Sequence, residues 1–132
     1  MSKSILYASN TVSQATTAAG TTLNFGTTVR RYGCNVGMSG GNIIVSGSGY
    51  YDVDVSLMFT AGGAGTAQVQ VLKDGTAITG ATAAVTTADT TSYAISIPCV
   101  VRNTCCCEST ISVAVSGVAG TVTNSSAVVE KL

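Results

Sequence analysis

The chain has 132 residues, of which only 9% are charged, against about 25% in an ordinary globular domain, and its six basic residues are balanced by six acidic ones. Without a basic patch it cannot grip a phosphate backbone, which excludes nucleic acid as a partner, and no apolar run approaches the ~20 residues that span a bilayer. There is no histidine, so neither a Ser-His-Asp set nor a Cys-His pair can form, and a conventional enzyme is not expected.

The length fits one domain, large enough to bury roughly two-thirds of its unfolded surface without a metal or a disulfide. Ser, Thr, Asn and Gly must supply its solubility. A weakly charged surface does little to oppose self-association, which suits a protein that assembles. The opening "MSKSILYASNTVSQATT" has one Lys and a short apolar run, Ile5 to Ala8, so it does not read as a signal peptide. The expectation is a chain made in the cytoplasm and released, if at all, by another route such as host lysis. Reduced thiols are then the default. Residues 1–22 read as an arm or first strand and 23–132 as the folded domain.

The chain then runs through short β-type segments. "SILYAS", "TLNFGT", "RRYGCNVGMS" and "NIIVSG" are each bounded by Gly, Asn or Ser. "YYDVDVSLMF" alternates cleanly, with Tyr51, Val53, Val55, Leu57 and Phe59 on one face and Asp52, Asp54, Ser56 and Met58 on the other. "AQVQVLK" sets Val69 and Val71 against Gln68 and Gln70, then meets Asp74-Gly75, a tight-turn signal, before "TAITGA". "SYAISIPCVV" alternates Tyr93, Ile95, Ile97, Cys99 and Val101 against Ala94, Ser96 and Val100, and Pro98 marks it as a sheet edge or bulge. "STISVAVSGV" aligns Ile111, Val113 and Val115, and "SSAVVEKL" supplies a last strand. Gly-rich turns punctuate the series, so the architecture expected is a sandwich, jelly roll or barrel.

From Ser39 onward, about two-thirds of the chain, "GSGYYDVDVSLMF", "AQVQVLKDGTAI", "STISVAVSGV" and "SSAVVEKL" together resemble the C1q/tumour necrosis factor-like jelly-roll family. The "SGGN" before the Gly-Tyr-Tyr strand is similar to the C-terminal domain of bacterial spore-surface collagen-like glycoproteins. The whole chain also resembles small structural proteins of phages and prophages of Gram-positive bacteria. This implies an all-β, single-domain antiparallel jelly-roll sandwich of ten-strand type, packed as a compact homotrimer. It further implies a virion component of capsid-decoration or head-fibre type, at the virion surface after assembly in the host cytoplasm. Its partners would be its own copies, other virion proteins such as the capsid shell, and a host-surface glycan. The alternative reading is a lectin-like or receptor-binding module on a phage tail or spore surface. The chain lacks the Gly-X-Y stalk of the collagen-bearing relatives.

The five cysteines, Cys34, Cys99, Cys105, Cys106 and Cys107, are the remaining chemistry. Structural zinc needs four ligands presented by CxxC-like turns. In an extended segment Cys105 and Cys107 share one side and Cys106 the other, so the triplet offers too few ligands. Two readings stand: buried thiols filling tight sheet positions, or a disulfide of Cys34 or Cys99 with the triplet once the particle is outside the cell. Asp52 and Asp54 share a strand face but lack the converging oxygens of a calcium site. Arg30-Arg31 read as an inter-subunit or surface pair. No cofactor, metal or catalytic residue is expected.

Overall fold

The computed structural model describes residues 4–104 and 108–132. It is all-β, two antiparallel sheets packed face to face. The alternation seen in the sequence drives this: strands with a period-two apolar pattern can bury only one face, so a sandwich is the arrangement that hides both apolar faces.

One sheet has the order β4 (Thr27–Tyr32), β1 (Ile5–Asn10), β12 (Gly120–Lys131), β7 (Gly49–Ala61), β10 (Ser92–Asn103), with β2 (Gln14–Thr16) also on β12. The other has the order β5 (Val36–Ser39), β6 (Asn42–Ser46), β11 (Glu108–Ser116), β8 (Gly65–Lys73), β9 (Thr76–Thr87), with β3 (Thr21–Thr22) on β11. The chain passes between the sheets from β2 to β3, β3 to β4, β4 to β5, β6 to β7, β7 to β8, β9 to β10, β10 to β11 and β11 to β12. This wrapping makes the sandwich a jelly roll. Ten strands form the two main paths, five in each sheet.

The residues expected inside are inside. Tyr51, Val53, Val55, Leu57, Phe59 and Ala61 of β7 are buried, and they face Val69 and Val71 of β8 and Ile111, Val113 and Val115 of β11 in one continuous core. Residues near the N-terminus take part as well. Leu6 and Ala8 of β1 are buried, and β1 pairs with β12 on one side and β4 on the other. Within the "SILYASNTVSQATT" stretch, Ile5–Asn10 and Gln14–Thr16 thus form β1 and β2 of this sandwich.

Two local features follow from residue type. Asp74 and Gly75 both have positive φ, 52° and 82°, as a two-residue hairpin turn twisting with its strands requires. The turn is pinned to β11 because Asp74 Oδ1 accepts from the Thr110 amide (2.9 Å). Pro98 lies in β10, an edge strand of its sheet, where its missing N–H can face away from the ladder.

Candidate assembly interface

The two sheets present very different outer faces. On the β5-to-β9 sheet the outward positions are Thr66, Gln68 and Gln70 of β8, Thr82, Ala84 and Thr86 of β9, and Ser112, Ala114 and Ser116 of β11. This part of the face is polar and uncharged; towards β5 and β6 it also carries Ile44, Leu72 and Glu108, none of them an exposed large hydrophobic residue. The outer face of the β4-to-β10 sheet is apolar and aromatic. Of the ten large hydrophobic residues exposed among the described residues, seven lie on it: Ile5, Tyr7, Tyr32, Tyr50, Met58, Val100 and Val128. None of the ten lies on a strand of the other sheet.

Register arranges this face in rows across the strands. Tyr32, Ile5, Glu130, Asp52 and Val100 form one row, and Arg30, Tyr7, Val128, Asp54 and Pro98 the next. Beyond them Ser9, Ser126, Ser56 and Ser96 make a row of four serines, followed by Asn124, Met58 and Ala94. Small side chains between larger ones leave a depression. An open hollow of about 280 Å³ is lined by Ser56, Leu57, Met58, Ala94, Ile95, Ser96, Asn124 and Ser126. Exposed apolar and aromatic side chains interspersed with polar ones, beside an open hollow, are the form of a surface that meets another protein.

The charges of the face are segregated. Asp52, Asp54 and Glu130 occupy its centre, on β7 and β12, while Arg30 stands on the margin strand β4, all six of whose residues are exposed. Arg102 covers the Tyr50 ring, its guanidinium 5.9 Å from the ring centre. Arg31 turns the other way: its Nε donates to the Val36 carbonyl (2.7 Å), tying β4 to β5.

The cysteines are spread out. Cys34 is exposed in the turn between β4 and β5, and Cys99 is half-buried on β10; among the described residues neither forms a disulfide. Burial, then the nearby Asp52 and Asp54 carboxylates, push the Cys99 thiol above its ordinary value, since each disfavours a thiolate. Cys105, Cys106 and Cys107 lie outside the described residues. Cys34 also lines a polar cleft of about 240 Å³ with Arg31, Ser39, Ser46 and Glu108. Among the described residues no three His, Cys, Asp or Glu side chains converge as a metal site would need, and no helix is long and apolar enough to cross a membrane.

Sequence reasoning located Asp52 and Asp54 on an outward face but missed Glu130 opposite Asp52, the serine row, and Arg30 in line with Asp54. All of these depend on how strands far apart in the chain are paired. Alternation within one strand carries no such information.

No protein-family model matches the chain, and no curated protein matches it. Among solved structures, murine APRIL at pH 5.0 is similar with a TM-score of 0.79 at 14% identity, over 99% of this chain and 100% of that one. The Eiger TNF of S. frugiperda is similar with a TM-score of 0.68 at 12% identity, over 98% of this chain and 91% of that one. The vertex protein of phage PRD1 is similar with a TM-score of 0.65 at 14% identity, over 98% of this chain and 96% of that one. These likenesses place the fold as a TNF-like jelly roll.

Proposed function

We propose that this is a non-enzymatic structural protein that works by self-assembly, a homotrimer whose contacts are made by the outer face of the β4-to-β10 sheet. The observation that carries this reading is the asymmetry of the sandwich. Seven exposed large apolar side chains share one sheet face, and the opposite face has none. Leaving such a patch in water costs about 25 cal/mol per Å² of apolar surface, and covering it with a second copy removes that cost. TNF-like neighbours are homotrimers, which favours a threefold arrangement over a dimer.

The trimer serves as a virion component of capsid-decoration or head-fibre type, with the capsid shell as its partner. Support comes from the likeness to the PRD1 vertex protein together with the resemblance to phage structural proteins. The mechanism is geometric: apolar faces are buried between copies, and the surfaces left over meet the shell.

Sedimentation velocity tests the assembly. The wild-type chain should run at three times its monomer mass. Met58→Glu places a charge beside the central hollow and should drive the chain to monomer with its melting curve little changed, because Met58 is 46% exposed in the single chain. A wild-type chain that stays monomeric at all concentrations overturns the trimer. For the virion role, the purified protein is mixed in parallel with shells of a phage that encodes it and with host cells. Binding to shells supports decoration. Binding to cells alone would favour the receptor-binding alternative instead.

A further inference from the structure

Among the described residues, the carboxylates Asp52, Asp54 and Glu130 of the candidate face form no ion pair. Asp52 stands directly opposite Glu130 across the β7–β12 pair, and Asp54 lies one outward position further along β7, opposite Val128. Like charges directly opposed on neighbouring strands destabilise a sheet. The arrangement raises the energy of an isolated chain, and a cation brought from outside would lower it.

One cation on this face is equally unpartnered. Arg30 points outward in the same cross-strand row as Asp54, with Tyr7 and Val128 between them. Three strand spacings of about 4.8 Å separate β4 from β7, roughly 14 Å, too far for the two to meet within one chain. Arg102, the other arginine on the face, is already engaged with Tyr50. The face therefore carries an acidic group on β7 and β12 and a basic margin on β4, complementary in charge and not paired with each other among the described residues.

A cyclic assembly resolves this. Around a threefold axis every contact is heterologous, so the margin of one copy lies on the centre of the next and the ring closes after three. We infer that Arg30 of each copy docks onto the Asp52–Asp54–Glu130 cluster of its neighbour and sets the register of the assembly, an inference that rests on the trimer reading above. The flanking Ile5, Tyr7, Val100 and Val128 exclude water from the contact, where an arginine–carboxylate pair is stronger than on an open surface. The same pairing disfavours face-to-face stacking of two copies about a twofold axis, which would bring acidic centre against acidic centre. The apolar patch supplies the affinity, and the charge pattern selects ring closure.

The test is a charge swap followed by sedimentation at several concentrations, in 50 mM and in 1 M salt. Arg30→Glu should weaken association about tenfold or more at low salt, and Arg30→Glu combined with Asp54→Arg should recover most of the loss. High salt should weaken the wild type and strengthen association of Arg30→Glu, because it screens attraction in the first and like-charge repulsion in the second. Thermal melts of each variant establish that it is folded. A trimeric wild type with an equally trimeric Arg30→Glu at low salt overturns the arginine docking while leaving the trimer intact. A monomeric wild type overturns both. Failure of the combined variant to recover, with Arg30→Glu folded and dissociated, also overturns the pairing.

Discussion

Replacing Tyr51 by Phe should cost the fold about 1–1.5 kcal/mol, far less than its central position suggests. Tyr51 is fully buried, and its hydroxyl lies 2.5 Å from the Ser46 carbonyl and 2.9 Å from the Gly47 carbonyl, donating to both at the corner between β6 and β7. Each carbonyl has a second donor: Asn35 Nδ2 reaches Ser46 O at 2.8 Å, and Asn103 Nδ2 reaches Gly47 O at 3.0 Å. Removing the hydroxyl thus strands neither acceptor, and the ring still fills its place. The loss is one net hydrogen bond, about 1 kcal/mol, without the added penalty for an unsatisfied buried carbonyl and without the ~3–5 kcal/mol of a large-to-small aromatic truncation. For a domain of this size the melting temperature should fall by about 3–6 °C. The sharing of acceptors is checked with a double-mutant cycle. Asn35→Ala in the Tyr51→Phe background leaves Ser46 O without either donor, so the pair should cost about 1 kcal/mol or more beyond the sum of the singles. Strict additivity, or a single-variant loss above about 3 kcal/mol, would refute the reasoning.

Three further outcomes follow from the same structure. Burial first, and Cys34 second, raise the Tyr51 phenol above its ordinary value of 10.0, and the Cys99 thiol is raised above 9.0. In each case the unfolded chain loses its proton first, so stability is intact below about pH 9 and falls as pH rises beyond it; melts from pH 7 to 11 should show this, and the fall should be shallower in Tyr51→Phe. Gly117 has φ of +95°, and a Cβ there would sit 2.1 Å from the Thr66 carbonyl oxygen, so Gly117→Ala should cost about 3 kcal/mol or more by denaturant titration, and a loss under 1 kcal/mol would contradict the close approach. At pH 7.5 a maleimide should modify exposed Cys34 well before half-buried Cys99, read by peptide mass spectrometry; equal rates would contradict the burial and charge argued for Cys99.

The strands were legible because their physics is local. The alternation in "YYDVDVSLMF" marks which side chains of β7 are buried, and Asp74-Gly75 announces its own turn, since both depend on neighbours within a few residues. Pro98 pointed to an edge, and β10 is one. The outer face of the β4-to-β10 sheet was not legible. Asp52 meets Glu130 from 78 positions further along, and Arg30 aligns with Asp54 only through Tyr7 and Val128; these juxtapositions arise from the order of strands in the sheet. The interior place of residues 5–10 in their sheet was hidden for a related reason. A short run with two buried positions, Leu6 and Ala8, has too little pattern to distinguish an arm from an interior strand.

β12, the final strand described, lies in the interior of its sheet, between β1 on one side and β7 on the other. Until those residues have left the ribosome, β1 with β4 and β7 with β10 are two separate ribbons with unpaired edges. No local hairpin can join them, because Ile5 waits for Glu130. The consequence is a temporal gate. Val128 and Glu130 are made after every other strand of this sheet, so a chain that stops before them has no complete face to offer. Completion of this sheet therefore waits on a contact between residues far apart in the chain, and its outer face is whole only once β12 is in place.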